Sequence, residues 1–333
     1  MQHLRLTATL LGLLLPVLIC RAQNQVVDRC VAPAPIDTSQ VKKRSSDPIP
    51  DNNDLHQLHA LASTAADQGQ YQKALKIAAQ IAEIKVPTAR GNAVSDPAVY
   101  YLSSTITALI YMRAGQYDVA AASLVTSSVS ATSGARHSIL FLRSYCRLRH
   151  AITHPEEAHS SKIIRREKFA LNRHLKALQQ AEPSPPSQVW AQYVAAYEIL
   201  LSEARAWVDN ATPNQPYKKT WANIAIRNQI RTSNATPPLL ITPVEESLGW
   251  LALHVGDTDQ AKKYFGASLK NRRMSGYAYL GIARCYRREK NTAKAVEFYK
   301  KSLTSFTHAD RRLPECIEAR NFIAEHRKTP PSP

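Results

Sequence analysis

Histidine is the residue type whose clustering could support chemistry in this chain. His137, His150, His154, His159 and His174 lie within 38 residues, and HAITHPEEAH (150–159) adds Glu156 and Glu157. Imidazole and carboxylate together form a zinc donor set. Such ligands must share a face, and Pro155 breaks the helix that would supply one. Nor is the order that of a His-Glu-x-x-His helix. The segment therefore reads as a polar loop between two helices, and no metal or other cofactor is expected. Other catalytic signals are missing. The sequence contains no Gly-x-Ser-x-Gly elbow, no Walker loop and no dinucleotide fingerprint. With 10 Gly in 333 residues it is also poor in the residue that phosphate loops need. The expectation is a protein that is not an enzyme.

Charge is the second chemical feature. Forty-three Lys and Arg face 26 Asp and Glu, a formal +17, so an anionic partner has to be considered. The window 134–180 holds ten of the bases (Arg136, Arg143, Arg147, Arg149, Lys162, Arg165, Arg166, Lys168, Arg173, Lys176) against Glu156, Glu157 and Glu167. A hydrophobic content of 44% is enough to build a core and excludes wholesale disorder. Asn210-Ala-Thr and Asn234-Ala-Thr are glycosylation sequons, relevant where the secretory route glycosylates.

The N-terminus carries an address. Arg5 precedes an apolar run from about Leu10 to Ile19, and Cys20-Arg21-Ala22 is a small-x-small cleavage pattern. Residues 1–22 read as a signal peptide, so the expected location is periplasmic or secreted. Lipidation at Cys20 is the rival, weakened by Ile19 standing where a small residue is wanted. Residues 23–54 mix Pro, Ser, Asp and Asn without helical period and read as a disordered linker.

The elements that follow repeat. ESLGWLALHVGDTDQAKKYFGASL (246–269) aligns with YLGIARCYRREKNTAKAVEFYKKSL (279–303) without a gap. Ala261 maps to Ala295, Phe265 to Tyr299, Ser268 to Ser302 and Leu269 to Leu303, every pair 34 residues apart. Two upstream copies, 58–81 and 104–128, share Gly-Gln-Tyr at residues 69–71 and 115–117, where glycine can end a helix in the left-handed conformation. Period, turn and small-residue positions together resemble the tetratricopeptide repeat family. The middle departs from that register: 134–152, 161–181, 189–208 and 217–230 read as four longer or degenerate helices.

The resemblance implies an all-α, right-handed α-solenoid of about six helix pairs with a C-terminal capping helix. The expected segments are TPR-like repeats over 55–130, basic degenerate pairs over 131–231, two regular repeats over 244–306 and a cap over 310–328. It further implies a concave groove, lined by first helices, that takes a segment of a protein partner. Positions the consensus leaves free would face it: Glu246, Trp250 and Leu253, then Leu280, Arg284 and Arg287, with His254 and Arg288 at the edge. Trp and Arg are frequent carriers of interface energy. The alternative is that the basic pairs attach the protein to an anionic envelope polymer or membrane surface; nucleic acid is not expected after export. Cys285 falls at a small inward position of the last repeat and Cys316 on the cap, so either a Cys285–Cys316 disulfide or two buried filler thiols fits.

Overall fold

The computed structural model describes residues 52–83, 97–124, 133–181, 188–211, 217–229 and 240–327. The proposed signal peptide, Asn234 and all of the linker up to residue 51 lie outside the described residues. Within them the chain is all-α, with thirteen helices and no strand. They are α1 Asn52–Asp67, α2 Tyr71–Glu83, α3 Pro97–Arg113, α4 Tyr117–Ser123, α5 Ser133–Thr153, α6 Ser160–Gln180 and α7 Gln188–Asp209. Then follow α8 Thr220–Gln229, α9 Val244–Val255, α10 Thr258–Asn271, α11 Gly276–Arg288, α12 Thr292–Ser305 and α13 Pro314–Arg327. Helix α1 starts inside the last three residues assigned to the linker.

Odd-numbered first helices pair with the even-numbered helices that follow them, and each first helix also touches the first helix of the next pair. Six pairs stack in this way, and α13 packs on α12. Neighbour-on-neighbour burial of this kind is the energetic basis of a solenoid.

One turn recurs four times and explains why the hairpins close. Gln70, Gln116, Asp257 and Asn291 each donate from the backbone to the carbonyl five residues earlier, at 2.8–2.9 Å. This is the six-to-one bond of a Schellman turn, which needs a left-handed residue just before it. Gly69, Gly115 and Gly256 supply φ values of 74°, 72° and 95°, and Lys290 takes the same place at 59°. In the last two turns the residue that follows also caps the second helix: Asp257 Oδ1 accepts from Gln260 N and Asn291 Oδ1 from Lys294 N. The aromatic consensus position fills space between pairs. Phe265 is fully buried, and a Cβ on Gly249 would lie 2.7 Å from its ring.

The ends of the stack meet. The α1–α2 turn rests on the α12–α13 connection, with Asp310 N donating to Gly69 O at 3.1 Å and Gln72 N to Asp310 Oδ2 at 3.1 Å. Arg113, at the end of α3, is buried at this junction. It bonds Asp67 at 2.7 Å on one side and Glu246 on the other, and lies 4.0 Å over the Tyr277 ring. Glu246 also accepts from Ser275 Oγ at 2.9 Å, Asp67 pairs with Arg272 at 3.3 Å, and the hydroxyls of Tyr71 and Tyr277 bond each other. Burial works against the Arg113 charge, but Glu246 and Asp67 outweigh it.

Removing one partner of a buried pair strands the other charge in a dry site. Arg113→Ala should therefore lower unfolding free energy by about 3–5 kcal/mol in urea titration. Arg113→Met combined with Glu246→Leu should recover part of that loss, because no charge is then left unmatched. A cost below about 1 kcal/mol for Arg113→Ala would place the pair in solvent.

Candidate partner-binding surface

The two best repeats set the residues expected to face a partner on α9 and α11. Helix α9 is buried over most of its surface and α11 is amphipathic; both are bounded by left-handed turns or caps, and Phe265 wedges between them. Trp250 and Leu253 are half-buried. The Trp250 ring meets Phe265 edge-on, centroids 4.9 Å apart, and the Arg284 guanidinium lies 5.3 Å from its centroid. Arg284 and Arg287, also half-buried, converge on one carboxylate of α13. Arg284 Nη2 is 2.5 Å from Glu318 Oε2 and Arg287 Nη1 3.5 Å from Oε1, while Tyr299 OH donates to Oε1 at 2.6 Å. Burial opposes ionisation of Glu318, but these arginines and hydrogen bonds hold its pKa below the ordinary value. The result is an apolar ledge, Trp250 and Leu253, beside an arginine pair that already holds one carboxylate.

Not every expected residue lies there. Glu246 is completely buried in the junction with Arg113. Leu280 is 1% exposed and packs with Tyr299, Phe322 and Ile323. Both positions are free in the consensus but are covered here, one by the returning first pairs and the other by α13. His254 packs against Trp207, centroids 5.6 Å apart, and burial with Arg149 and Arg288 lowers its pKa. Arg288 donates to Leu253 O at 2.8 Å. Cys285 and Cys316 are free thiols, both buried, and burial pushes them up to about 12 and about 11 respectively. The disulfide left open by the sequence is absent: each sulfur fills apolar core space. Asn210 of the first sequon is 4% exposed, with its amide spent on Ala206 O and Lys218 O and its carbonyl on Lys218 N. It serves as a helix-end cap, so its nitrogen is not presented for glycosylation.

The stack's inner side contains a second polar cluster that the sequence did not announce. Arg149 of α5 is buried among rings, 3.8 Å from the Trp207 centroid and 4.7 Å from that of Tyr117. It donates to Tyr145 OH at 2.8 Å, and Tyr145 donates to Glu203 Oε2 at 3.1 Å. Ser247 Oγ lies 3.4 Å from Arg149, linking the cluster to α9. The Arg113 junction did have a signal: the residues two positions before the turn glycines of adjacent repeats, Asp67 and Arg113, carry opposite charge. That position lies at the junction, next to this cluster's α9 contact.

The sequence profile of the tetratricopeptide repeat family matches residues 247–310, which span α9 from Ser247 through α12 into the approach to α13. A search of curated proteins finds no match. Over that stretch the chain is similar to tetratricopeptide repeats, units that generally mediate protein–protein interactions. No helix among the described residues is long and apolar enough to cross a membrane.

Glu203 gives a pH test of the inner cluster. Burial raises its pKa to about 7, against the opposing pull of Arg149. Between its ordinary value of 4.5 and about 7 the folded state holds a proton that the unfolded state has lost. Stability from this group therefore falls as pH rises through that window. Buried His59 and His174, both lowered to about 4, tilt the other way below 6.5. The comparison must therefore be between variants. The stability of Glu203→Gln minus that of the parent should rise by roughly 1–3 kcal/mol from pH 5 to 7. A flat difference would place Glu203 in water.

Proposed function

We propose that the protein is an exported interaction scaffold that holds a segment of a partner protein along α9 and α11. The segment would place an apolar side chain on Trp250 and Leu253 and an acidic group at Arg287. The observation that carries this reading is a coincidence of place. The stretch that matches the repeat family presents a half-buried aromatic ledge beside an arginine pair gathered on Glu318. An aromatic and arginine cluster of this kind matches the composition of binding hot spots. Export rests on the N-terminal apolar run and the Cys20-Arg21-Ala22 site, and the exported chain should begin at Gln23 by intact mass.

A photo-crosslinker at Leu253 tests the surface, with the same probe at exposed Lys301 as the control. Adducts should form from Leu253 and not from Lys301. Arg287→Glu should weaken capture about tenfold or more while shifting the melting temperature little, because Arg287 is a partly exposed ion-pair partner. Equal labelling from both sites, or capture unchanged by Arg287→Glu, would move the surface elsewhere.

A specific feature favours a second reading, attachment to an anionic surface. Lys162, Arg165, Arg166, Arg173 and Lys176 are exposed on one face of α6, and Phe169 among them is 72% exposed. Basic residues around a bare aromatic suit an anionic bilayer. Sedimentation with anionic vesicles that collapses between low and physiological salt, and is lost on Phe169→Ser, would support it. Capture that persists at physiological salt and tracks Arg287 would support the first reading.

A further inference from the structure

The turn between α5 and α6 contains a group that neither the interaction surface nor the inner clusters use. We propose that His150, His154 and Glu157 form a binding site for a divalent borderline metal, zinc. One donor atom from each residue lies within 4.8 Å of the other two. His150 Nε2 is 3.1 Å from both carboxylate oxygens of Glu157. That is close to the edge of a tetrahedron with zinc–ligand bonds of about 2.0–2.1 Å, where two donors are about 3.4 Å apart. The two imidazoles stack at 4.3 Å and 24°.

Pro155 does not separate the two histidines, because it follows both. His154 N still donates to His150 O at 2.9 Å, so the two histidines keep the i, i+4 relation of one helix face. The proline then turns the chain so that Glu157 comes back over the helix end. The turn is held by Ser160 Oγ, which lies 3.0 Å from His154 O and 2.9 Å from Glu157 O.

Tautomer and donor type favour a metal over a simple ion pair. His154 Nδ1 is 3.1 Å from the His150 carbonyl oxygen, and a carbonyl can only accept. Thr153 Oγ1 also lies 3.0 Å from Nδ1, but its proton is directed at the Arg149 and His150 carbonyls, so a proton on Nδ1 satisfies all these partners and leaves the lone pair on Nε2. A backbone partner on the far nitrogen is the arrangement that orients metal-bound histidines. The His150–Glu157 ion pair accounts for two of the residues but not for His154 stacked beside them. Two imidazoles and one carboxylate suit zinc, whereas calcium and magnesium want oxygen and copper(I) wants sulfur. A fourth position stays open to water. His159 is not part of the group: it stands at the start of α6 with φ 70°.

Calorimetric titration of the untagged full chain with zinc chloride tests the site. The parent should take up one equivalent through these residues and melt higher with zinc than without. His150→Gln with His154→Gln should lose that equivalent or weaken it about 100-fold, and Glu157→Gln should weaken it about tenfold. Circular dichroism and metal-free melting should stay close to the parent, since the three side chains sit at the end of α5 and in the turn after it and none is fully buried. A parent that binds no zinc, or a double variant that binds it with the same stoichiometry and affinity, would overturn the proposal.

Discussion

A charge taken out of water must be met by opposite charge and hydrogen bonds, and Arg113 imposes that condition on the whole stack. Its guanidinium sits at the end of α3, yet its partners come from α1 and α9, and the ring beneath it from α11. The first two pairs can satisfy Asp67, but only the fifth pair supplies Glu246. An isolated front half would leave Arg113 without Glu246, and an isolated back half would leave Glu246 bare. Once the ends are brought together, Asp310 can bond the α1–α2 turn, and Tyr71 can meet Tyr277. The energetics therefore add a long-range link to what is otherwise a sum of neighbouring interfaces.

That link constrains where a partner could bind. Stacked first helices commonly leave one side open, but here side chains from the same chain occupy much of it. Glu246 faces Arg113, and Arg149 stands in a cage of Trp207, Tyr117 and Tyr145. Leu280 lies under α13. On α9 and α11, Trp250 and Leu253 with the Arg284 and Arg287 pair stay half-exposed. Glu318 already occupies those arginines, so an acidic partner segment at the proposed surface would have to exchange with it at a partly exposed site. Such exchange favours selectivity for acidic segments over high affinity.

Much of the fold was legible because its signals are local. The glycine of Gly-Gln-Tyr announces a left-handed turn, and residues 69 and 115 adopt it. The 34-residue spacing of Phe265 and Tyr299 announces an inter-pair filler, and both are fully buried. Helices expected at 134–152, 161–181 and 189–208 occur at Ser133–Thr153, Ser160–Gln180 and Gln188–Asp209. What depends on the path of the whole stack was not legible. Glu246 reads as a free first-helix position, and only the return of the first pairs buries it. Pro155 reads as a helix breaker between ligands, but it falls one residue after His154, where it turns the chain instead of scattering the donors. Cys285 occupies the small inward position expected of it and Cys316 lies on α13, both buried, yet position in a repeat says nothing about whether two sulfurs meet.

The stack closes on itself through the Arg113 junction, so that its first and last pairs stabilise each other. Native-state hydrogen exchange reads this directly, since an open solenoid frays from its ends while a closed one opens as a unit. Amides in α1–α2 and α11–α12 should share one opening free energy, close to that of α5 and α9. Terminal pairs that exchange several kcal/mol more easily than the middle, each with its own opening free energy, would contradict the account.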